Sequence, residues 1–299
     1  MVMHSAGSPS PSPSRLMIRR QELALIGATF LWGGTFLIVH HAMRHSGPLF
    51  FVGLRFGTAA LIALPVALPV LRGATGREWL AGGMIGLGIF GGYSLQSWGL
   101  QTIPSSTSAF ITAAYVPLVP LFQWAILNRR PRLASWAGVI LAFIGLLLIA
   151  RPQEGLSPGK GEALTLISTI AIALEIIFIS LWAGRVNVAR VTLIQLMVTS
   201  LLAFACMIPA GESVPAFSWL VVVSACGLGL MTAVIQLVMN WAQQSVSATR
   251  ATLIYAGEPV WAGVIGWLAG DRLPATALLG GALVVAAMIV SEMRFEKKG

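Results

Sequence analysis

Residues 98–117 read WGLQTIPSSTSAFITAAYVP, and residues 241–259 read WAQQSVSATRATLIYAGEP. Each stretch runs from a tryptophan through a glutamine and a Ser/Thr-rich turn into an apolar segment that carries a proline. They lie about 142 residues apart, and the same offset pairs Arg130 with Arg272 and Gly138 with Gly280. An offset of about 140 pairs Pro69 with Pro209. Identity between the two halves is low, so the repeat needs a physical check of a different kind. Hydropathy and loop charge supply it.

Of the 299 residues, 57% are hydrophobic and 10% are charged, with a mean hydropathy of +0.84. An average soluble domain carries about 25% charged residues, so this apolar surface has to face lipid. A bilayer core takes about 20 apolar residues per helix. Runs of that kind lie at 23–43, 49–71, 79–100, 106–127, 133–150, 162–183, 191–209, 217–243, 249–269 and 275–293. The expected fold is an all-α integral membrane protein with ten transmembrane helices. No gap between the runs is long enough for a soluble domain. The first residues, MVMHSAGSPSPSPSR, have no apolar core and do not read as a cleaved signal peptide. Residues 1–21 are read as a disordered tail, and the first apolar run serves as the insertion signal. Cys206 and Cys226 fall inside apolar runs and are read as free thiols.

The net charge of +9 is spread over short gaps rather than gathered on one element, which argues against nucleic acid. One side of the membrane would hold Arg15, Arg19, Arg20, Arg72, Arg77, Arg129, Arg130, Arg132, Arg185, Arg190, Arg250, Arg294, Lys297 and Lys298. The other would hold only Arg44, Arg151, Lys160 and Arg272. Basic loops stay in the cytoplasm, so both termini are expected there and the protein is expected in the cytoplasmic (inner) membrane. In the first half the basic loops follow the second and fourth helices; in the second half they follow the first and third. A duplicated five-helix unit has an odd number of spans and must enter the membrane upside down. The exchanged loop charges are what such an inversion requires, and inverted repeats characterise transporters. The expected units are residues 22–152 and 153–293, followed by a short cytoplasmic tail at 294–299.

Four stretches carry a family resemblance: ATFLWGGTFLIVHHAM, PLFFVGLRFGTAAL, SWGLQTIPSSTSAFITAAYVPLVPLF and YAGEPVWAGVIGWLAGDRLPATALLGGALVV. In this order they resemble the drug/metabolite transporter superfamily, and within it the EamA-type permeases. Over roughly residues 22–293 the chain is similar to the YddG-type exporters of aromatic amino acids. The resemblance implies a central cavity walled by spans 1–4 and 6–9, with spans 5 and 10 at the periphery. Arg55 falls in its pattern FVGLRF and Glu258 in its EP motif.

Polar groups at membrane depth are costly and mark function or helix contacts. Thr232, Gln236, Asn240 and Gln243 stay within roughly 80° of one another at helical spacing, a single polar stripe. Tyr93 and Ser97, with Gln96 beside them, are its repeat equivalents, and Ser105, Ser108, Thr112 and Tyr115 share a face of the fourth span. Such stripes either line a cavity or join helices at about 0.6 kcal/mol per contact. Glu175, whose repeat counterpart is Thr35, is a candidate proton or amine site. Glu258 either shares that role or satisfies backbone freed by Pro259. Arg55, whose counterpart is Gln195, either receives a carboxylate or acts in gating or an ion pair. The structural or gating role is preferred.

Trp32, Tyr93, Trp98, Tyr115, Phe178 and Tyr255 would give the cavity stacking surfaces, with Trp98 and Trp241 alternatively interfacial anchors. The substrate-cavity set is therefore Trp32, Thr35, Tyr93, Gln96, Ser97, Ser108, Thr112, Tyr115, Glu175, Phe178, Gln236, Asn240 and Tyr255. Pro117, Pro120 and Pro259 are the expected hinges. His40, His41 and His45 cannot build a membrane di-metal site, and no phosphate-binding GxxxxGK[ST] loop occurs. Neither an enzyme, a metal nor a cofactor is expected. The resulting reading is export of small neutral amino acids, aromatic ones foremost, by alternating access. The alternative is a multidrug or other metabolite permease of the same superfamily. The expected partners are the substrate and the lipid bilayer, with no nucleic acid and a monomeric state.

Overall fold

The computed structural model describes residues 20–103, 105–150, 159–268 and 275–292. The two tails, together with Arg151 and Arg272, lie outside the described residues. Among those described, the chain forms thirteen helical segments and no strand. They are α1 (Arg20–Gly33), α2 (Thr35–Ala42), α3 (Pro48–Leu71), α4 (Gly76–Gly99), α5 (Ser105–Thr112), α6 (Tyr115–Leu127) and α7 (Leu133–Ala150). Then follow α8 (Lys160–Trp182), α9 (Val188–Met207), α10 (Trp219–Ala242), α11 (Ala248–Tyr255), α12 (Glu258–Leu268) and α13 (Ala275–Glu292).

Among the described residues five helices meet the length and hydropathy needed to cross a membrane: α1 continued by α2, α3, α8, α9 and α10. Two further apolar helices, α7 and α13, run for 18 residues each. The helix α4 is long, but its GREWLAGGMIGLGIFGGYSLQSWG spends much of its length on glycine and polar residues. Other runs are cut in two.

The cuts have local causes. Proline lacks the N–H that would bond the carbonyl four residues back, and its ring clashes with that carbonyl. Pro117 therefore leaves the carbonyl of Ala113, which instead accepts from Val116 N at 3.0 Å, and the helix restarts at Tyr115. Pro259 likewise frees the carbonyl of Tyr255, and α12 restarts at Glu258. Each proline thus sits in the first turn of the new helix, where it is tolerated. The breaks fall about one turn before the expected hinges, and Pro120 lies inside the unbroken α6. The α1–α2 interruption at Gly33–Gly34 has no proline and was not expected.

Large apolar side chains such as Leu61, Leu87, Leu201 and Val223 point outward, while Phe51, Phe56, Tyr255, Ile85 and Ile176 fill the interior. The core forms where α4 packs on α8 and α9, and α3 packs on α9 and α10; α7 and α13 pair with each other. Glycine makes the closest of these contacts possible. A methyl added at Gly88 would lie 3.2 Å from the backbone of Glu175, and one at Gly86 would lie 2.8 Å from the carbonyl of Gln195. The helix α4 thereby draws α8 and α9 against its own backbone.

Two carboxylates tie the halves together at opposite ends of the bundle. Glu78, in a capping box with Thr75, accepts from Asn187 N at 3.1 Å and from Arg190 Nη1 at 3.1 Å, at the start of α9. Glu212 accepts from Leu49 N at 3.0 Å and Phe50 N at 2.7 Å, at the start of α3. Both satisfy the free donors of a helix N-terminus.

Candidate functional site

All three interrupted runs meet at one small cavity. Trp32, Thr35 and Phe36 come from the α1–α2 break, Thr112 and Tyr115 from the α5–α6 break, and Glu258 from the start of α12. The unbroken helices close it, α4 with Tyr93 and Gln96, and α8 with Ile172, Glu175 and Ile176. Interrupted helices expose free backbone groups and are tolerated at depth only where they face protein or a cavity. Their convergence is therefore a positional marker of a site. The cavity measures about 30 Å³, room for about one water molecule and too small for an amino acid. A larger hollow, about 740 Å³, is an open groove between loops beside Glu78 and Asn187, and carries none of this chemistry.

Behind Glu175 runs a chain of amides. Gln236 Nε2 donates to Glu175 Oε1 at 2.9 Å, and Gln195 Nε2 donates to Gln236 Oε1 at 2.7 Å. Asn240 Nδ2 donates to Gln195 Oε1 at 3.1 Å, to Thr192 Oγ1 at 3.1 Å and to the backbone carbonyl of Gln236 at 2.9 Å. A backbone carbonyl only accepts, so that last contact fixes which end of the Asn240 amide carries hydrogen. The direction then propagates: every amide in the row presents N–H toward Glu175. A fully partnered row of this kind holds the carboxylate in one place, whereas a broken one would leave buried polar atoms unsatisfied.

The opposite wall is aromatic. Trp32 Nε1 donates to the Tyr93 hydroxyl at 2.9 Å, and Trp32 meets Tyr255 edge-on with centroids 5.4 Å apart. Tyr93 also packs edge-on against Phe56 at 5.0 Å. The Arg55 guanidinium carbon lies 4.9 Å from the Tyr93 ring centre, and Arg55 Nε donates to Thr232 Oγ1 at 2.8 Å. The ion pairs among the described residues are Glu78–Arg190 and Glu22–Arg250. Arg55 rests on a hydroxyl and two aromatic faces.

Of the sequence-predicted cavity residues, Trp32, Thr35, Tyr93, Gln96, Thr112, Tyr115 and Glu175 stand on the wall. Gln236 and Asn240 do not; they form the row behind it. Tyr255 buttresses Trp32 and accepts from Gln243 Nε2 at 3.3 Å. Ser97, Ser108 and Phe178 lie off the wall: both serines are buried, and Phe178 packs partly buried against the core. The α10 stripe is thus a helix-to-helix contact in which Thr232 holds Arg55 and Gln236 holds Glu175. Phe36, Ile172 and Ile176 were missed, because apolar wall residues look like any core residue. Gln195 was missed as the centre of the amide row, although its place opposite Arg55 in the repeat was a signal. Among the described residues no group of three His, Cys, Asp or Glu side chains suits a metal ion.

Apolar helices long enough to span a bilayer, wrapped around an aromatic-walled cavity that holds two carboxylates and is built from interrupted helices, define the class of membrane transport proteins. The sequence pattern of the EamA-like transporter family matches residues 19–151 and again residues 159–293, and the chain belongs to that family. It is similar to an uncharacterized transporter of Archaeoglobus fulgidus, 25% identical over 274 residues that cover 91% of this chain and 86% of the relative. The uncharacterized transporter YoaV of Bacillus subtilis is 23% identical over 292 residues, covering 92% of this chain and 98% of the relative. A protein crystal structure superposes with a TM-score of 0.74 at 18% identity, covering 91% of this chain and 97% of the other. That likeness extends to the fold.

Proposed function

We propose that this EamA-family transporter exports small neutral amino acids, aromatic ones foremost, by alternating access through the cavity at the α1–α2, α5–α6 and α12 breaks. The observation that carries the reading is the convergence of three interrupted helices and two carboxylates on one aromatic-walled cavity. Glu175 and Glu258 would take the ammonium group, and Trp32, Tyr93 and Tyr115 would flank an aromatic side chain. The cavity is too small for the substrate as it stands, and the interruptions are where segments could pivot to enlarge it.

The architecture behind this reading is ten spans in two inverted five-helix repeats, residues 22–152 and 153–293. Each broken run counts as one span, so α1–α2, α5–α6 and α11–α12 are the first, fourth and ninth. The double family match, the exchanged loop charges and the paired caps of Glu78 on α9 and Glu212 on α3 support it. The chain would sit in the cytoplasmic membrane as a monomer, with both termini inside.

The test is flux of radiolabelled phenylalanine or tryptophan into proteoliposomes. Uptake above that of protein-free vesicles, saturable and blocked by unlabelled substrate, is expected; uptake equal to that of empty vesicles contradicts the substrate assignment. A multidrug or other metabolite permease is the second reading, favoured by one observation: the wall carries two carboxylates and no cation. Flux of a lipophilic cation without flux of either amino acid would select it.

A further inference from the structure

Arg55 is buried at the level of the cavity yet stands one layer behind its wall. Its Nε is satisfied by Thr232, and its plane lies against Tyr93 and Phe56, 4.9 and 5.6 Å from their ring centres. Its Nη2 is sealed from solvent and has no hydrogen-bond partner. A buried guanidinium without a carboxylate is costly, and the aromatic faces return only part of that cost. A charge with an idle donor is a group waiting for an anion.

What separates that donor from the cavity is Tyr93. Its ring is cavity wall, and the same ring covers the guanidinium. Its hydroxyl is held by Trp32 Nε1. Trp32 belongs to the last turn of α1, immediately before the Gly33–Gly34 interruption, so any pivot at that break pulls on the bond that keeps Tyr93 in place. The fork of donors on an arginine suits a planar carboxylate.

We propose that Arg55 is the receptor for the substrate's carboxylate, and that Tyr93 is its shutter, opened when α1 pivots at Gly33–Gly34. The proposal rests on the amino-acid reading above and deepens it. Glu175 and Glu258 take the ammonium group in the cavity, while Arg55 selects for molecules that also carry a carboxylate. The repeat counterpart, Gln195, is neutral and engaged with Gln236 and Asn240, so the receptor is single and the substrate is held in one orientation.

The test compares phenylalanine with phenethylamine, the same molecule lacking the carboxylate, by calorimetric titration of the purified full-length transporter. Arg55→Gln is expected to weaken phenylalanine about ten-fold or more while leaving phenethylamine within about two-fold. Arg55→Lys, a point charge without the fork, is expected to weaken phenylalanine about three-fold with phenethylamine unchanged. If Arg55→Gln does not fold, Arg55→Lys decides alone. Equal loss for both ligands, or no loss for phenylalanine, overturns the Arg55 assignment and leaves the transport reading standing. Wild-type protein that binds phenethylamine but not phenylalanine, or neither, overturns the amino-acid reading and this proposal with it.

Discussion

The α1–α2 pair and α8 occupy equivalent places in the sequence repeat, yet they meet the cavity in opposite ways. The first is interrupted at Gly33–Gly34 and presents Thr35; the second is continuous and presents Glu175. The helix α8 lies hard against α4, with Gly88 facing the backbone of Glu175 and Gly92 facing Ile172. The interrupted pair is less tightly packed: a methyl added at Gly34 would make ordinary contacts at 3.7 and 3.8 Å. One side of the cavity is thus a fixed post that carries charge, held from behind by the amides of Gln236, Gln195 and Asn240. The other is a hinged wall that carries the aromatic Trp32. A carrier needs both, because a binding group must stay registered while an access path opens and closes.

The comparison breaks most visibly at the charged position. Glu175→Gln should lower phenylalanine uptake by about ten- to a hundred-fold, the range expected when a charge-assisted hydrogen bond to an ammonium group is lost. The counterpart substitution, Thr35→Val, should stay within about two-fold in the same assay, since Thr35 Oγ1 already donates to the Trp32 carbonyl across the α1–α2 break. Equal losses would mean that the two positions share one role.

Packing gives the next largest contrast. Gly88→Val should destabilise the protein by about 3 kcal/mol, because the added atoms meet the backbone of α8 rather than a yielding side chain. Gly34→Ala should instead be tolerated: the backbone there is already right-handed (φ −78°, ψ −15°). Thermal unfolding should show it unchanged or more stable by up to about 1 kcal/mol, while turnover slows as the hinge stiffens. A Gly34→Ala protein with normal turnover would place the pivot elsewhere.

The amide row sharpens the account of the fixed post. Asn240→Leu removes the donor that orients Gln195, and should cost about 1–3 kcal/mol by leaving buried acceptors unpaired. Its uptake defect should follow the loss of Glu175 registration and remain smaller than that of Glu175→Gln. The smallest effect is expected from Trp32→Phe, which deletes one hydrogen bond to Tyr93 worth about 1 kcal/mol but keeps an aromatic side chain, and thermal unfolding would register it.

Much of this was legible in the sequence, and the parts that were not share a cause. The carboxylates, the aromatic residues and the fourth-span positions Thr112 and Tyr115 could be named because apolar runs make each polar residue conspicuous. The α10 stripe could also be seen, but periodicity reports a face and not the neighbour it meets. Gln236 and Asn240 face α8 and α9 rather than the cavity. Pro117 and Pro259 signalled breaks whose positions follow from the carbonyl four residues back. The Gly33–Gly34 break had no such signal: Gly82–Gly83 and Gly91–Gly92 are also paired glycines, and α4 runs through both unbroken. Whether such a pair bends or packs depends on what lies against it. In α4 neighbouring helices crowd Gly82, Gly91 and Gly92, with atoms 2.5–3.2 Å from an added methyl; at Gly34 the nearest atoms stand off at 3.7 and 3.8 Å.

The central claim is that the small cavity opens in turn to the two sides of the membrane. The most direct measurement places a single cysteine at Thr112, with Cys206 and Cys226 replaced, and labels it with a membrane-impermeant thiol reagent in vesicles of each orientation. The account predicts labelling from both faces, slowed by phenylalanine on each. A cysteine reached from one face only, or from neither, would contradict it.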